Sequence, residues 1–216
     1  MPSRALIDAI KNGDVAAVKN LLATDATALD SREDPASPVL TAMYHGQNEI
    51  ADYIAPRTEL DVFEAAATGR TERLDELLSS DPEVTRQTSD GWTPLHLAAF
   101  FGKTDAARRL MEAGADLKTI SGNTTANTPL HAAIAGRGDE ELILRMLIAG
   151  ADAGLATAEG HTPLHIAASR GNRRLCDLLI QYRASPSARM KDGKTPADIA
   201  AERGHGDLAD YLNTLK

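Results

Sequence analysis

The sequence predicts an all-α repeat solenoid: about seven helix-turn-helix units in single file, with short hairpin fingers between them. Three observations carry this. The word Thr-Pro-Leu-His stands at Thr93, Thr128 and Thr162 and, worn down to Thr-Pro-Ala-Asp, at Thr195, at intervals of 35, 34 and 33 residues. Each copy runs into a narrow apolar face that ends on glycine, as Leu95, Ala98 and Ala99 run to Gly102. A second apolar set then recurs four, five, eight and nine residues past that glycine.

The word is a helix start. Thr93 caps through its hydroxyl, and Pro94 at the first helical position gives up only an N–H that would lack a partner anyway. His96, three residues after the cap, can reach back as in a capping box. Upstream the letters are lost but the register holds. Gly13, Gly46 and Gly69 read as helix-ending glycines and place starts near Arg4, Ser37 and Leu60, so the units begin near 4, 37, 60, 93, 128, 162 and 195. The second set reads Ala17, Val18, Leu21 and Leu22 in the first unit and Leu175, Cys176, Leu179 and Ile180 in the sixth, an amphipathic second helix. The fifth unit keeps register only with Gly138 as its glycine, which puts one extra residue near Gly136 or Arg137.

After the second helix comes Gly114-Ala115-Asp116 or Gly150-Ala151-Asp152, where glycine suits a left-handed helix end. A polar stretch leads on to Asp90-Gly91 or Asp192-Gly193, a tight-turn pair, before the next Thr-Pro. From Ser37 to Leu60 there is no room for a finger, which predicts a notch between the second and third units. The stretch Asp116 to Asn127 is long and rich in Thr, Ser, Asn and Gly, which predicts a mobile loop. Polar residues at both ends, Asp8 and Lys11, then Asp198, Glu202, Arg203 and Asp210, suit terminal caps. No residues remain for a second domain, so 1–216 is expected to be one domain.

Thr-Pro-Leu-His-x-Ala-Ala, Gly-Ala-Asp and Asp-Gly-x-Thr-Pro together resemble the ankyrin repeat, over almost the whole chain. Four units carry its letters and three match by pattern. The resemblance implies a curved stack of helix pairs used mainly to bind other proteins, and it says little about activity.

Composition bounds the function. With 43% hydrophobic and 25% charged residues in 216, the chain is expected to fold. Its start reaches Arg4 and Asp8 too soon for a signal-peptide core, and no apolar run is long enough to span a bilayer, so a cytoplasmic protein without membrane association is expected. Cys176 is the only cysteine, which excludes an internal disulfide and a cysteine metal cluster. The formal charge is −8: residues 1–90 carry 17 acids and 8 bases, while 91–216 carry 14 and 15. Such a chain is a poor general nucleic-acid binder, though the asymmetry can orient a charged protein partner.

No Walker loop, nucleophile elbow or metalloprotease helix is present, and no histidine pair has zinc spacing, so no catalytic residue, cofactor or metal is expected. His96, His131 and His165 recur once per unit, which suits helix capping better than a convergent site. Cys176 falls at a core position. Ankyrin repeats, by resemblance, make contacts at the residue before Thr-Pro and at the two before the helix-ending glycine. Carried over by position, these are Trp92, Phe100 and Phe101, Tyr44 and His45, then His161, Ser169, Arg170, Lys194, Glu202 and Arg203. The only Trp and two of three Phe fall in this set, and such side chains dominate interface energetics. The competing reading has Phe101 and Tyr44 merely packing on neighbouring helices. A second surface, Arg170, Arg173, Arg174, Arg189, Lys191, Lys194 and Arg203, could receive an acidic segment. The expectation is a monomeric protein-binding module. The alternatives are a non-catalytic regulatory or targeting subunit of an enzyme complex and, further off, an enzyme.

Overall fold

The computed structural model describes residues 2–30 and 37–215. Among them fourteen α-helices pair off in order: α1 (Pro2–Asn12) with α2 (Val15–Thr24), α3 (Pro38–Tyr44) with α4 (Asn48–Ile54), α5 (Val62–Thr68) with α6 (Thr71–Ser80), and α7 (Pro94–Phe100) with α8 (Thr104–Glu112). There follow α9 (Pro129–Ala135) with α10 (Glu140–Ile148), α11 (Pro163–Ser169) with α12 (Arg173–Gln181), and α13 (Pro196–Glu202) with α14 (Gly206–Thr214). Each odd-numbered helix packs on the next odd-numbered one, making a continuous row, and the even-numbered helices lie behind it. None of the described helices is long and apolar enough to cross a membrane.

The helix starts behave as their chemistry dictates. Thr93, Thr128, Thr162 and Thr195 each form a capping box with the residue three positions on. The third pair builds the same device from Asp61 and Glu64, so its cap lies one residue past the expected Leu60, which is buried just before it. The first helix begins at Pro2, earlier than the expected Arg4.

The core sits between helices. Leu95, Ala98 and Ala99 have no exposed surface, and neither have Val18, Leu74, Ala107 and Cys176 from the second set. Burial pushes the Cys176 thiol up to about 12, so it packs as an inert apolar group. Losing one cap costs about 1 kcal/mol, whereas truncating a buried leucine costs about 2–5, so packing between pairs carries most of the stability.

The fingers are short. Asp90 and Gly91, both left-handed at φ 51° and 78°, close a two-residue hairpin in which Ser89 and Trp92 exchange N–H···O bonds of 2.9 Å. Gly91 is required twice over, because a Cβ there would also stand 2.6 Å from the Asn123 nitrogen of the next finger. The loop from Asp116 is tied rather than open. Ser121 is buried, Asn123 Oδ1 accepts from Ser121 and Thr125, and the Gly122 N–H donates to Gly91 across the fingers. The polar residues that predict mobility are spent inside the loop.

The notch is present. A 3-10 turn, Ala55–Arg57, replaces the finger between the second and third pairs and leaves a groove of 380 Å³ floored by Pro56 and Leu60. The extra residue in the fifth pair is present too, but Gly138 lacks the positive φ of its counterparts Gly13, Gly46, Gly69, Gly102, Gly171 and Gly204. The bulge instead turns toward the fourth pair, where the Arg137 N–H donates to the Phe100 carbonyl at 2.8 Å. Asp8, Lys11, Asp198, Glu202, Arg203 and Asp210 are all exposed on the terminal pairs.

Candidate partner-binding surface

The short unit without a finger lets its neighbours meet. Tyr44, at the end of α3, reaches Phe101 just after α7, although α5 packs on both helices, with ring centroids 5.5 Å apart. Phe101 lies 5.1 Å edge-on from Phe100, and Phe100 lies 5.3 Å edge-on from Trp92. Four of the predicted contact residues therefore form one strip of rings, running from the base of the first hairpin to the helix ends. Such pairs are worth about 0.5–1.5 kcal/mol each beyond their burial. Their exposure differs. Phe101 is 5% exposed and serves the core, Trp92 and Phe100 are half-buried, and Tyr44 is 48% exposed. Partial burial, aided by the nearby Asp90 carboxylate, raises the Tyr44 phenol above its ordinary value.

Under Trp92 lies His96, with ring centroids 5.7 Å apart. The Thr93 N–H can only donate, so the His96 Nδ1 it meets at 3.3 Å is an acceptor and the ring proton is on Nε2. That proton is donated to the carbonyl of Asn127 at 3.1 Å, in the next pair. His131 bonds the His161 carbonyl at 3.0 Å and His165 the Lys194 carbonyl at 3.2 Å by the same rule. The three histidines cap their own helices, as expected, and also stitch each pair to the next. Burial pushes His96 down to about 4, against the Asn127 bond, which favours the charged form. Burial lowers His131 and His165 as well. In the last pair Asp198 stands in, accepting from the Thr195 N–H and hydroxyl at 2.8 and 2.7 Å. Among the described residues no group of three or more His, Cys, Asp or Glu is placed to hold a metal.

The other predicted contact residues are not gathered with the rings, except that His45 is exposed beside Tyr44. His161 lies edge-on to His165 at 6.3 Å, one pair further along than the bulge. The Ser169 hydroxyl donates to Ile166 in its own helix. Arg170 donates to the carbonyls of Ala135 and Gly136, closing the end of α9. Lys194 is paired with Asp192 at 3.4 Å and Glu202 at 2.9 Å, and Arg203 is exposed at the end of α13. The proposed basic surface is likewise divided. Arg173 lies over the Tyr211 ring at 3.8 Å, Arg174 pairs with Glu140 at 2.8 Å, Lys191 with Glu159 at 3.4 Å, and Arg189 donates to the Gly193 carbonyl. Asp90, the turn residue two before Trp92, is exposed, and its charge acts on the Tyr44 phenol.

The sequence matches the family described as Ankyrin repeats (3 copies) over residues 62–142 and 135–214. It is 36% identical over 164 residues to Neurogenic locus notch homolog protein 4 of Homo sapiens, covering 74% of this chain and 8% of that protein. It is 31% identical over 166 residues to Ankyrin repeat and SOCS box protein 16 of Homo sapiens, covering 71% of this chain and 36% of that protein. Over a shorter stretch of 57 residues it is 44% identical to Protein phosphatase 1 regulatory subunit 12A of Mus musculus, 26% of this chain and 6% of that protein. The chain thus spans well under half the length of these relatives.

Proposed function

This chain belongs to the ankyrin-repeat family, whose repeats are protein-interaction modules, and from that premise we propose that it binds another protein along the odd-numbered helices and fingers. Tyr44, Trp92 and Phe100 are the anchors, with His45 at one edge. The observation that carries this is the strip of rings: in a chain with only 4% aromatic residues, three of them lie partly open along one row that is joined through the buried Phe101. His161, Ser169, Arg170, Lys194 and Arg203 form the outer part of the surface, where Arg170 and Lys194 already have bonds to give up and so contribute less.

The same reading takes residues 1–216 as one domain of seven units, acting as a monomer in the cytoplasm. Its polar terminal pairs and its buried free thiol Cys176 support that. A role as a non-catalytic regulatory subunit of an enzyme complex has specific support in the likeness to a protein named as a phosphatase regulatory subunit. The test is capture of partners from native extract by the wild type and by Trp92→Ala/Phe100→Ala, each first shown to be folded by circular dichroism. Partners held by the wild type are lost on the double variant; survival of every partner at full affinity overturns the assignment.

A further inference from the structure

The turns joining the two helices of each pair carry a row of cations, and the inference drawn from it rests on the protein-binding reading above. These turns lie one on the next. A Cβ added to Gly69 would stand 3.1 Å from the Lys103 stem, one added to Gly102 2.4 Å from the Arg137 carbonyl, and one added to Gly171 2.6 Å from the His205 ring. Between them, Arg170 donates to the Gly136 carbonyl at 3.4 Å. Lys103, Arg137, Arg170 and Arg203 therefore follow one another along one edge, one from each of the last four pairs. Phe101, two residues before Lys103, joins the ring strip to the start of that row.

The edge has spare positive charge. None of the four cations pairs with a carboxylate among the described residues: Arg137 and Arg170 bond only neutral oxygens, and Arg203 is exposed. Of the acids in the same turns, Asp105 faces Arg108 at 3.6 Å and Glu202 faces Lys194 at 2.9 Å. Asp139, which caps α10, and Asp207, in the first turn of α14, remain against the four. Arg173, 4.0 Å from Asp177, adds nothing to this balance.

We propose that this edge receives an acidic peptide segment of the partner, running on from an apolar residue seated against Trp92 and Phe100. Packed helices stand about 8–10 Å apart, so the cations recur at about that interval, and an extended segment rising about 3.3 Å per residue brings every third side chain to one of them. Asp or Glu at that spacing meets Lys103 and Arg203 directly in charge-assisted bonds. Arg137 and Arg170 keep their neutral partners and act through their charge. A basic segment would face a row of like charges. A long polyanion such as nucleic acid would also lie over the first part of the chain, where residues 1–90 carry 17 acids against 8 bases, and be repelled.

The experiment is selection of a randomised displayed peptide library on the full chain, followed by titration of labelled synthetic copies by fluorescence anisotropy. The enriched peptides carry net negative charge with acids three residues apart, and they weaken as salt is raised. Lys103→Gln and Arg203→Gln each weaken them by about threefold. Lys118→Gln, which removes the same charge from an exposed place in a finger, leaves them unchanged. Basic or neutral peptides, or acidic ones that ignore Lys103→Gln and Arg203→Gln, would overturn the acidic assignment; if they are still lost on Trp92→Ala/Phe100→Ala, the ring surface stands. Peptides that ignore all of these changes would overturn both. A single-stranded oligonucleotide that binds as tightly and displaces the peptides would overturn the choice of a peptide. A selection without enrichment would overturn the acidic assignment, because on this account an isolated segment suffices.

Discussion

At His96 two bonding demands meet on one imidazole: Nδ1 must accept from Thr93 while Nε2–H donates to Asn127. A second proton would turn Nδ1 into a donor facing a donor, in a side chain with no exposed surface. Between pH 6.5 and about 4 the unfolded chain takes up that proton and the folded chain refuses it, so stability is full above pH 6.5 and falls as pH drops through the window. The share of His96 alone is on the order of 3 kcal/mol, and His131 and His165 act in the same direction. The urea midpoint therefore falls between pH 7 and pH 4.5, with a shallower slope in His96→Gln; a flat profile contradicts the buried neutral assignment. The capping role of His96 is legible in its distance from Thr93 along the chain. The bond to Asn127 is not, because its acceptor is a main-chain carbonyl that any residue would supply.

The turns and helix ends sort by whether a side chain could take the backbone shape they need. Gly150 closes α10 at φ 100°, with open space around it, so the cost of a side chain there is conformational rather than steric. Gly150→Val is expected to cost about 1–2 kcal/mol. Gly206, at the start of α14, has an ordinary φ and equally open space, so Gly206→Ala is expected to stabilise by about 0.5 kcal/mol. Denaturation midpoints that move together, or not at all, would count against the left-handed assignment. At this scale the sequence is a good guide, since glycine and proline spacing marks nearly every boundary. It fails where two devices share one slot. Asp61 with Glu64 does the work that Thr and His do elsewhere, and Gly138 keeps register without taking the left-handed shape. The composition of the loop before Thr128 predicts mobility, but the same hydroxyls and amides bond each other.

Across the molecule most ties run between consecutive pairs, through the histidine stitches and through ion pairs such as Arg109–Asp75 at 2.9 Å and Arg174–Glu140 at 2.8 Å. Two contacts break that rule: Tyr44 reaches Phe101, and Arg137 reaches Asn48, 89 residues away. Both depend on the missing finger and the extra residue, whose positions are legible in the spacing. Their joint effect, bringing the second pair against the fourth and fifth, appears only in three dimensions. This is why Trp92 and Phe100 can be read as neighbours from the sequence, whereas Tyr44 cannot be placed beside Phe101. The most direct measurement is hydrogen–deuterium exchange on the chain alone and bound to its captured partner. The account predicts slowed exchange over residues 89–101 and around Tyr44, with α10 and α12 unchanged. Protection confined to the even-numbered helices, with the Ser89–Trp92 hairpin exchanging as freely as before, would contradict it.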